Sequence, residues 1–517
     1  MANINNERIA KNTMMLYVRM FALMAVSLYT SRVILQIIGI EDYGIYNLVA
    51  GFVTFFAFIS NSLTSAFQRF FNVALGCSDK QNYVEIYSTS INIMILFSII
   101  ILLVGETVGL WLVNNHINIP SNREYAAEWV FHISLITFIV SLFRTTFDAS
   151  IIAHENMNFY AYISIIEVFL KLFIVWGLQI IAGDKLIAYV LLFLCVTILT
   201  TCANWLYCRC KYLECRYVPK INKKSFSELL KFSSWTLVGQ SAVVVKNQGE
   251  SILINKFFSV VANASLGVAS QVTSAIDRFV VSFQTAFNPQ IIKTYAAKEI
   301  EQYYLLLCRA SKVSYYLLLI LSMPILFNID VILKCWLTIV PEQTNYFCVF
   351  IIVSHLVNAL GAPFNTAILA TGKIKNYQIL CAVIFILGLL LSGVCLWSGL
   401  PAYIVAVVGI LVQVLLLTNR ILFTQKLTGF SVLYYTKKVI LPISTVSVVY
   451  ILLVFGTSML SDNIIKVIAL TMANLLFAAV IIYNWGLDNA ERLYAQKFFR
   501  KFLHLQSQIK HNTNEKE

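Results

Sequence analysis

The sequence predicts an all-α polytopic membrane protein of about fourteen transmembrane helices. Two six-helix lobes would form a parallel pseudo-repeat around a central cavity, with two additional helices after them. The first observation behind this prediction is composition: of 517 residues, 59% are hydrophobic and 12% are charged, whereas soluble domains carry about 25% charged residues. The second is the recurrence of apolar runs of about 20 residues, long enough to cross a membrane. The third is an internal repeat.

Hydropathy divides the chain into lobes, a linker and a tail. We expect an N-terminal lobe at residues 1–210 (helices 1–6) and a basic cytoplasmic linker at 211–228. A C-terminal lobe follows at 229–427 (helices 7–12), then two additional helices at 428–486 and a basic cytoplasmic tail at 487–517.

The distribution of Lys and Arg predicts the orientation of the helices, because cytoplasmic loops carry an excess of both. With the N-terminus inside, the inside segments hold 27 of the 38 Lys and Arg residues. The predicted outside loops hold Arg123, Lys185, Lys256, Lys334 and Lys466. Both termini are therefore expected in the cytoplasm, and the net charge of +13 is mostly a topology signal that gives no reason to expect a nucleic-acid partner.

The repeat becomes visible when the chain is compared with itself at an offset that carries Ser62 onto Ser282. This offset places "SLTSAFQ" (Ser62–Gln68) over "SFQTAFN" (Ser282–Asn288), and helices 7 and 8 over helices 1 and 2. Six helices is an even number, so the two lobes would share one orientation and be related by an axis along the membrane normal. A chance alignment is the alternative.

Helices 2 and 8 each carry a stripe of polar residues on one face. At 100° per residue, the stripe on helix 2 falls within an arc of about 60° and the stripe on helix 8 within about 80°. These residues are Asn47, Thr54, Asn61, Ser65 and Gln68 on helix 2, and Gln271, Ser274, Arg278, Ser282 and Thr285 on helix 8. Helix–helix hydrogen bonds would account for the Ser and Thr residues. A charged Arg278 needs water, a partner or an anionic ligand, which favours a hydrated cavity between the lobes.

Other charged residues also lie inside predicted spans. Lys246 and Glu250, four residues apart on helix 7, share a face and could neutralise each other. Asp277 points about 100° away from Arg278 and is a poor partner for it. Arg19 and Arg32 on helix 1 could reach the two membrane surfaces by snorkelling.

The chemistry of an enzyme is not visible in the sequence. It contains no zinc-protease, P-loop or nucleophile-elbow motif, and the predicted outside loops are too short for an external catalytic domain. The spacing of Cys208, Cys210 and Cys215 is not a standard zinc pattern. We therefore expect a protein that is not an enzyme, with no cofactor and no metal.

The segment "KNTMMLYVRMFALMAVSLYTSRVILQIIGIEDYGIYNLVAGF" resembles the N-terminus of Wzx-type polysaccharide-biosynthesis flippases (O-antigen and other oligosaccharide flippases). These belong to the multidrug/oligosaccharidyl-lipid/polysaccharide exporter superfamily. The pieces most similar to that family are "SRVIL" (Ser31–Leu35), Gly39 and "DYGIYN" (Asp42–Asn47). The resemblance extends from the N-terminus to about Leu75 and returns around helices 7 and 8.

The resemblance implies a flippase of the bacterial cytoplasmic (inner) membrane. Its cargo would be an undecaprenyl-pyrophosphate-linked oligosaccharide repeat unit for surface polysaccharide such as lipopolysaccharide, moved by alternating access of the lobes. Membrane lipids, a polysaccharide polymerase and chain-length proteins are the implied partners. The cations that would bind the diphosphate are Arg278, Lys246, Arg19, Arg32 and Arg69.

Two other functions compete with this one. A cation-coupled multidrug exporter of the same superfamily would favour carboxylates in the cavity. Glu250 and Asp277, which are also the candidates for ion coupling, are consistent with such an exporter. A peptidoglycan lipid II flippase would differ in the headgroup it carries. A scaffold without transport activity is a further class, against which the polar stripes argue.

Overall fold

The computed structural model describes residues 2–39, 42, 45–46, 56–111, 122–180, 183–219, 222–258, 260–337, 340–458, 464–489, 491–493 and 496. Of the described residues, 89% are helical. Fourteen long helices lie in the described ranges.

Six of the long helices form the N-terminal lobe and six form the C-terminal lobe. The first six are α1 (Ala2–Ile38), α2 (Ala57–Gly76), α3 (Lys80–Val104), α4 (Glu124–Ala153), α5 (Met157–Gly177) and α6 (Lys185–Lys211). The next six are α7 (Lys223–Phe257), α8 (Val260–Ala296), α9 (Ile300–Phe327), α10 (Thr344–Thr371), α11 (Lys375–Trp397) and α12 (Ile404–Thr428). A π-helical turn, Gly105–Gly109, extends α3, and a short helix, Ile329–Trp336, follows α9.

Two more long helices follow the lobes, α13 (Leu441–Ser458) and α14 (Ile464–Ile481). Residues Val432–Ile440, a short helix followed by a π-helical turn, lead into α13, and the π-helical turn Ile482–Gly486 ends α14. α13 packs on α9 of the C-terminal lobe, where Tyr450 donates a hydrogen bond to the carbonyl of Ile320 at 3.3 Å. The two extra helices therefore extend the C-terminal lobe.

Ten of the long helices are apolar enough over a described stretch to cross a membrane. They are α3–α6 and α9–α14. The other four, α1, α2, α7 and α8, are the helices through which the two lobes mainly contact each other: α1 packs on α8, and α2 packs on α7 and α8. The predicted fold class is confirmed, and its more polar helices line the boundary between the lobes.

The interior of each lobe is filled by large apolar and aromatic side chains. In the N-terminal lobe Phe71 stacks on Tyr83 with ring centroids 4.9 Å apart. In the C-terminal lobe Phe364 meets Tyr435 edge-on at 4.9 Å. All four rings are almost fully buried. Phe71 and Tyr83 belong to a core that continues into α7, α11 and α12, whereas Phe364 and Tyr435 belong to a second core built from α8, α9, α10 and α13.

The connection from α2 to α3 and the connection from α8 to α9 have the same backbone conformation. Ser78 and Lys298 are both in the left-handed region, with φ of 56° and 61°. In each turn three backbone N–H groups return to the last helical turn, from Cys77, Ser78 and Asp79 in one and from the residues at 297–299 in the other. The offset that carries Ser62 onto Ser282 also carries Ser78 onto Lys298, so the repeat read from the sequence relates equivalent positions of the two lobes.

The connections α2–α3, α4–α5, α6–α7, α8–α9 and α10–α11 lie at one end of the bundle, which we call the basic end. It carries Lys80, Lys211, Lys223, Lys298 and Lys375. The connections α3–α4, α5–α6 and α9–α10 lie at the opposite end. There Arg123 donates from Nε to Asp42 at 2.7 Å and from Nη1 to Asp184 at 2.6 Å, which ties three connections of the N-terminal lobe together.

Candidate functional site

A buried ion pair joins the two lobes at the basic end. Glu155, in the turn between α4 and α5, has a side chain that is only 2% exposed. It accepts hydrogen bonds from Lys293 Nζ at 2.5 Å and Gln290 Nε2 at 2.5 Å, both on α8. Asn12 of α1 donates to the backbone carbonyl of Glu155 at 3.3 Å. Because a buried carboxylate is costly unless it is paired, these contacts favour the arrangement in which the lobes touch.

Around the ion pair, apolar side chains of the two lobes pack closely against each other. Leu16, Ile152 and Met157 of the N-terminal lobe enclose Ala286 of α8. A Cβ atom added to Gly76 would lie 2.9 Å from Ala296 Cβ, so α2 and α8 approach as closely as small residues permit. Around Gly76 and Ala286, the interface at the basic end is tightly packed.

The contact between α2 and α7 extends the closure towards the middle of the bundle. Ser62 Oγ donates to the carbonyl of Ser233 at 2.9 Å and lies 2.6 Å from Thr236 Oγ1. Ser62 precedes Gly76 by fourteen residues, which is about 21 Å along a helix. We call this region, from Ser62 to Gly76 on α2 and its partners on α7 and α8, the seal.

The polar stripes of α2 and α8 point towards the opposite lobe. Arg278 precedes Ala296 by eighteen residues, which is five helical turns, and Ser65 precedes Gly76 by eleven residues, about three turns. Gly76 touches Ala296, and Phe279, the neighbour of Arg278, packs on Tyr17 and Phe21 of α1, so the two stripes lie beside the boundary between the lobes. Asn61, Gln271, Ser274 and Arg278 are exposed, Ser65, Gln68, Ser282 and Thr285 are half-buried, and Asn47 and Thr54 lie outside the described residues.

Arg278 is an exposed cation with no hydrogen bond or ion pair among the described residues. Its neighbour in sequence, Asp277, instead contacts the imidazole of His355 on α10. A guanidinium carries five donors that match the oxygens of phosphate or carboxylate. Arg278 is therefore available to an anion between the lobes.

The second cation predicted for this region has a partner. Lys246 Nζ lies 2.9 Å from the Glu250 carboxylate, one helical turn further along α7. Glu250 is buried. Of the two alternatives that the sequence left open for this pair, the structure has the one in which the charges neutralise each other.

The arginines of α1 and α2 have surroundings of their own. Arg19 donates to the Tyr160 hydroxyl at 3.4 Å and covers its ring at 4.5 Å, so it faces α5 inside the N-terminal lobe. Arg69 lies near the basic end, seven residues before Gly76, about 16 Å nearer to that end than Arg278. The side chain of Arg32 lies outside the described residues.

A charged network lies inside the N-terminal lobe, and only its Glu167–Lys171 pair, four residues apart on one helix, is expected from the sequence. Arg144 Nη1 contacts Glu167 at 2.5 Å, and Arg144 Nε lies 3.3 Å from Asp148. Lys171 lies 2.6 Å from Glu167 and Asn204 donates to Asp148 at 2.8 Å. Two cations and two carboxylates balance, which makes the network a structural element. The four-residue spacing of Arg144 and Asp148 on one helix was the available signal.

The cysteines around the end of α6 offer no metal site. Cys208 and Cys215 are buried and Cys210 is exposed, and Cys215 Sγ lies 3.2 Å from Ser150 Oγ. No group of three His, Cys, Asp or Glu side chains suited to a metal ion lies within the described ranges.

Comparison with solved structures identifies the fold. A mutant MATE protein superposes with a TM-score of 0.71 at 11% identity, covering 82% of this chain and 97% of that one. A transporter of the MOP superfamily from Pyrococcus furiosus gives 0.65 at 11% identity over 82% and 97%. The Vibrio cholerae MATE transporter VcmN, as a mutant, gives 0.64 at 16% identity over 83% and 98%. The chain is a multi-pass membrane protein with the two-lobe fold of these transporters.

The family follows from the sequence. The model of the polysaccharide biosynthesis protein family matches residues 9–295, more than half of the chain, and the protein belongs to that family. The match begins within α1 and includes the rest of the N-terminal lobe, α7 and α8 up to Tyr295, so it covers both polar stripes and the seal except for Ala296. No curated protein matches the chain significantly.

Proposed function

We propose that the protein is a flippase that carries undecaprenyl-pyrophosphate-linked oligosaccharide repeat units across the bacterial cytoplasmic membrane for surface polysaccharide synthesis. The observation that carries the proposal is the exposed and unpaired guanidinium of Arg278 on a polar face between two lobes. A diphosphate brings about two negative charges, for which an arginine fork is the better ligand. The neighbouring stripes would give the sugars a wet path while the prenyl tail stays in lipid.

The other predicted cations would have supporting roles. Lys246 would become a free cation when Glu250 is protonated, which makes this pair our candidate for ion coupling, with Asp277 beside His355 as a second. Arg19 and Arg32 would add positive charge from α1, and Arg69 would act at the basic end.

The direction of transport follows from orientation and charge. The excess of Lys and Arg favours the cytoplasm for the basic end, so the seal would close the cytoplasmic side and the conformation would face outwards. An inside-negative potential contributes about 2.3 kcal/mol per charge per 100 mV. It would therefore favour the outward movement of a lipid anion that is not neutralised.

Replacement of single cations tests the proposal. We expect Arg278→Ala to abolish polymer export at unchanged protein level and Lys246→Ala to reduce it. Mass spectrometry of membrane lipids, with the leaflet of the glycan probed, should find a prenyl-diphosphate-linked oligosaccharide accumulating in the inner leaflet. Lys437→Ala, which removes an exposed charge from the basic end, is the matched control. Normal export in both variants would refute the role of cavity cations.

Multidrug export is the competing function, and its requirement is different. A carrier of organic cations needs a free carboxylate, whereas Glu250 is paired with Lys246 and Asp277 contacts His355. Surface polymer that remains intact in a deletion strain, together with lost efflux of an organic cation, would favour the exporter. A lipid II flippase would instead be revealed by the headgroup that accumulates.

A further inference from the structure

A second site for an anion lies at the basic end, apart from the polar stripes. A cavity of about 680 Å³ opens between α2 of the N-terminal lobe and α7, α12 and the α10–α11 connection of the C-terminal lobe. Five cations and one carboxylate line it. They are Arg69, Lys231, Lys373, Lys375, Lys426 and Glu228.

Arg69 forms the inner wall of this cavity and is held there by aromatic rings. Its guanidinium carbon lies 4.4 Å from the ring centroid of Phe70 and 5.2 Å from that of Phe232. Its Nε is buried without a hydrogen-bond partner. A Cβ atom at Gly372 would lie 2.5 Å from Arg69 Nη2, so the glycine of the α10–α11 turn makes room for the guanidinium.

The positive charges of the cavity are not balanced by the protein. None of its five cations forms an ion pair in the part of the chain that the structure describes, and Glu228 is its only carboxylate there. Arg69 belongs to one lobe and the four lysines to the other. The cations therefore repel each other across the boundary between the lobes whenever the seal is closed.

We propose that this cavity binds a phosphate or diphosphate group and that the bound anion stabilises the closed basic end. Basic pockets between membrane helices on the cytoplasmic side suit lipid headgroups. Trp235, Phe423 and Leu427 in the same wall offer apolar surface to whatever carries the group. An anion there joins Arg69 to the lysines of the other lobe and replaces repulsion by attraction.

This inference does not depend on the transported cargo. It concerns the equilibrium between conformations, and it could hold for an exporter of another substrate. The proposed anion site at the basic end is therefore tested independently of whether Arg278→Ala loses or keeps export.

The test uses the purified full-length protein in detergent. Two probes separate the sources of phosphate: inorganic pyrophosphate, and dioleoyl phosphatidic acid with dioleoyl phosphatidylcholine as the zwitterionic control. Thermal shift and native mass spectrometry measure binding to the wild type, Arg69→Gln and Lys375→Gln. Gly372→Ala is a fourth protein that displaces Arg69 without changing the charge, and Lys437→Gln removes an exposed lysine outside the cavity.

We expect the wild type and Lys437→Gln to bind alike. Arg69→Gln and Lys375→Gln should each bind about tenfold more weakly, the effect of losing one charge-assisted hydrogen bond. Binding of pyrophosphate would assign the site to a free or lipid-borne diphosphate, and binding of phosphatidic acid alone would assign it to a lipid. No binding of either probe, or equal weakening by Lys437→Gln, would overturn the proposal.

Discussion

Gly76 and Ala296 occupy equivalent positions in the two halves of the repeat, and they touch each other. A Cβ atom on Gly76 would lie 2.9 Å from Ala296 Cβ and 2.9 Å from the carbonyl oxygen of Lys293. Equivalent residues of a twofold repeat can meet only beside the axis that relates them. The pseudo-twofold axis therefore runs through the seal, and the smallest side chains of the interface lie where the lobes approach most closely.

A larger residue at position 76 should prevent the seal from closing. In Gly76→Val the new side chain meets a backbone carbonyl and a Cβ atom, neither of which can rotate away, and such overpacking costs about 1–3 kcal/mol. We expect the population to shift towards conformations open at the basic end. Reactivity of a cysteine introduced at Ala286, which is buried against Leu16, Ile152 and Met157 of the other lobe, measures the shift in a background without exposed cysteines.

Gly456→Val on α13 is the control for this experiment, because a Cβ atom there meets nothing within 4 Å. It should leave the reactivity of the reporter unchanged. Equal reactivity in Gly76→Val and the wild type would contradict the role of the glycine in closure.

The ion pair between Glu155 and Lys293 should stabilise the conformation that is closed at the basic end. Glu155→Gln leaves Lys293 without its carboxylate in a largely buried site, where breaking a pair costs about 3 kcal/mol. We expect faster modification of the Ala286→Cys reporter and slower return to the closed state. Lys293→Gln, whose partner is almost fully buried, should have a larger effect.

The exchange of both charges distinguishes an ion pair from simple packing. Glu155→Lys combined with Lys293→Glu should recover part of the closure that each replacement alone abolishes, since residues in contact are not additive. If the increase in reporter reactivity in the double variant equals the sum of the increases in the two single variants, the two charges do not attract each other.

The fold was predictable because a membrane limits the possible structures. Apolar runs predict helices when no water is available to satisfy the backbone, and the match of "SLTSAFQ" to "SFQTAFN" predicted the relation between the lobes. The same offset also pairs Gly76 with Ala296, although nothing in one sequence says that the two residues meet. Contacts across the axis depend on the rotation between the lobes, which periodicity along a helix does not contain.

The candidate site was predictable only in part, for a related reason. The face on which Arg278 lies follows from helical spacing, and so does the pairing of Lys246 with Glu250. The partner of Arg19 does not follow from helical spacing, because Tyr160 lies 141 residues further along the chain. Glu155 was missed because a charged residue in a polar turn is ordinarily solvated. Here the other lobe buries it.

Asp42 of the family-like segment "DYGIYN" should contribute to stability at the end opposite the seal. It contacts Arg123 through two oxygens, and Arg123 also contacts Asp184. Because Arg123 and Asp184 are partly exposed, we expect Arg123→Gln to lower the free energy of unfolding by about 1–2 kcal/mol. Adding Asp42→Asn should cost little more, and a melting curve in detergent checks both. Fully additive losses would show that the two residues act independently.

Replacement by Ala should hardly change the stability of the protein at Arg278, but should lower it strongly at Arg144. Arg278 is exposed and has no partner within the described residues, so Arg278→Ala should change the free energy of unfolding by less than about 0.5 kcal/mol. Arg144 lies between Glu167 and Asp148 inside the N-terminal lobe, and Arg144→Ala should cost about 3 kcal/mol because it leaves carboxylates buried without their cation. Melting temperature, measured beside export, separates the two effects. A variant at 278 that melts as early as the one at 144 would mean that its loss of export reports misfolding, and the assignment of Arg278 to an anionic cargo would fail.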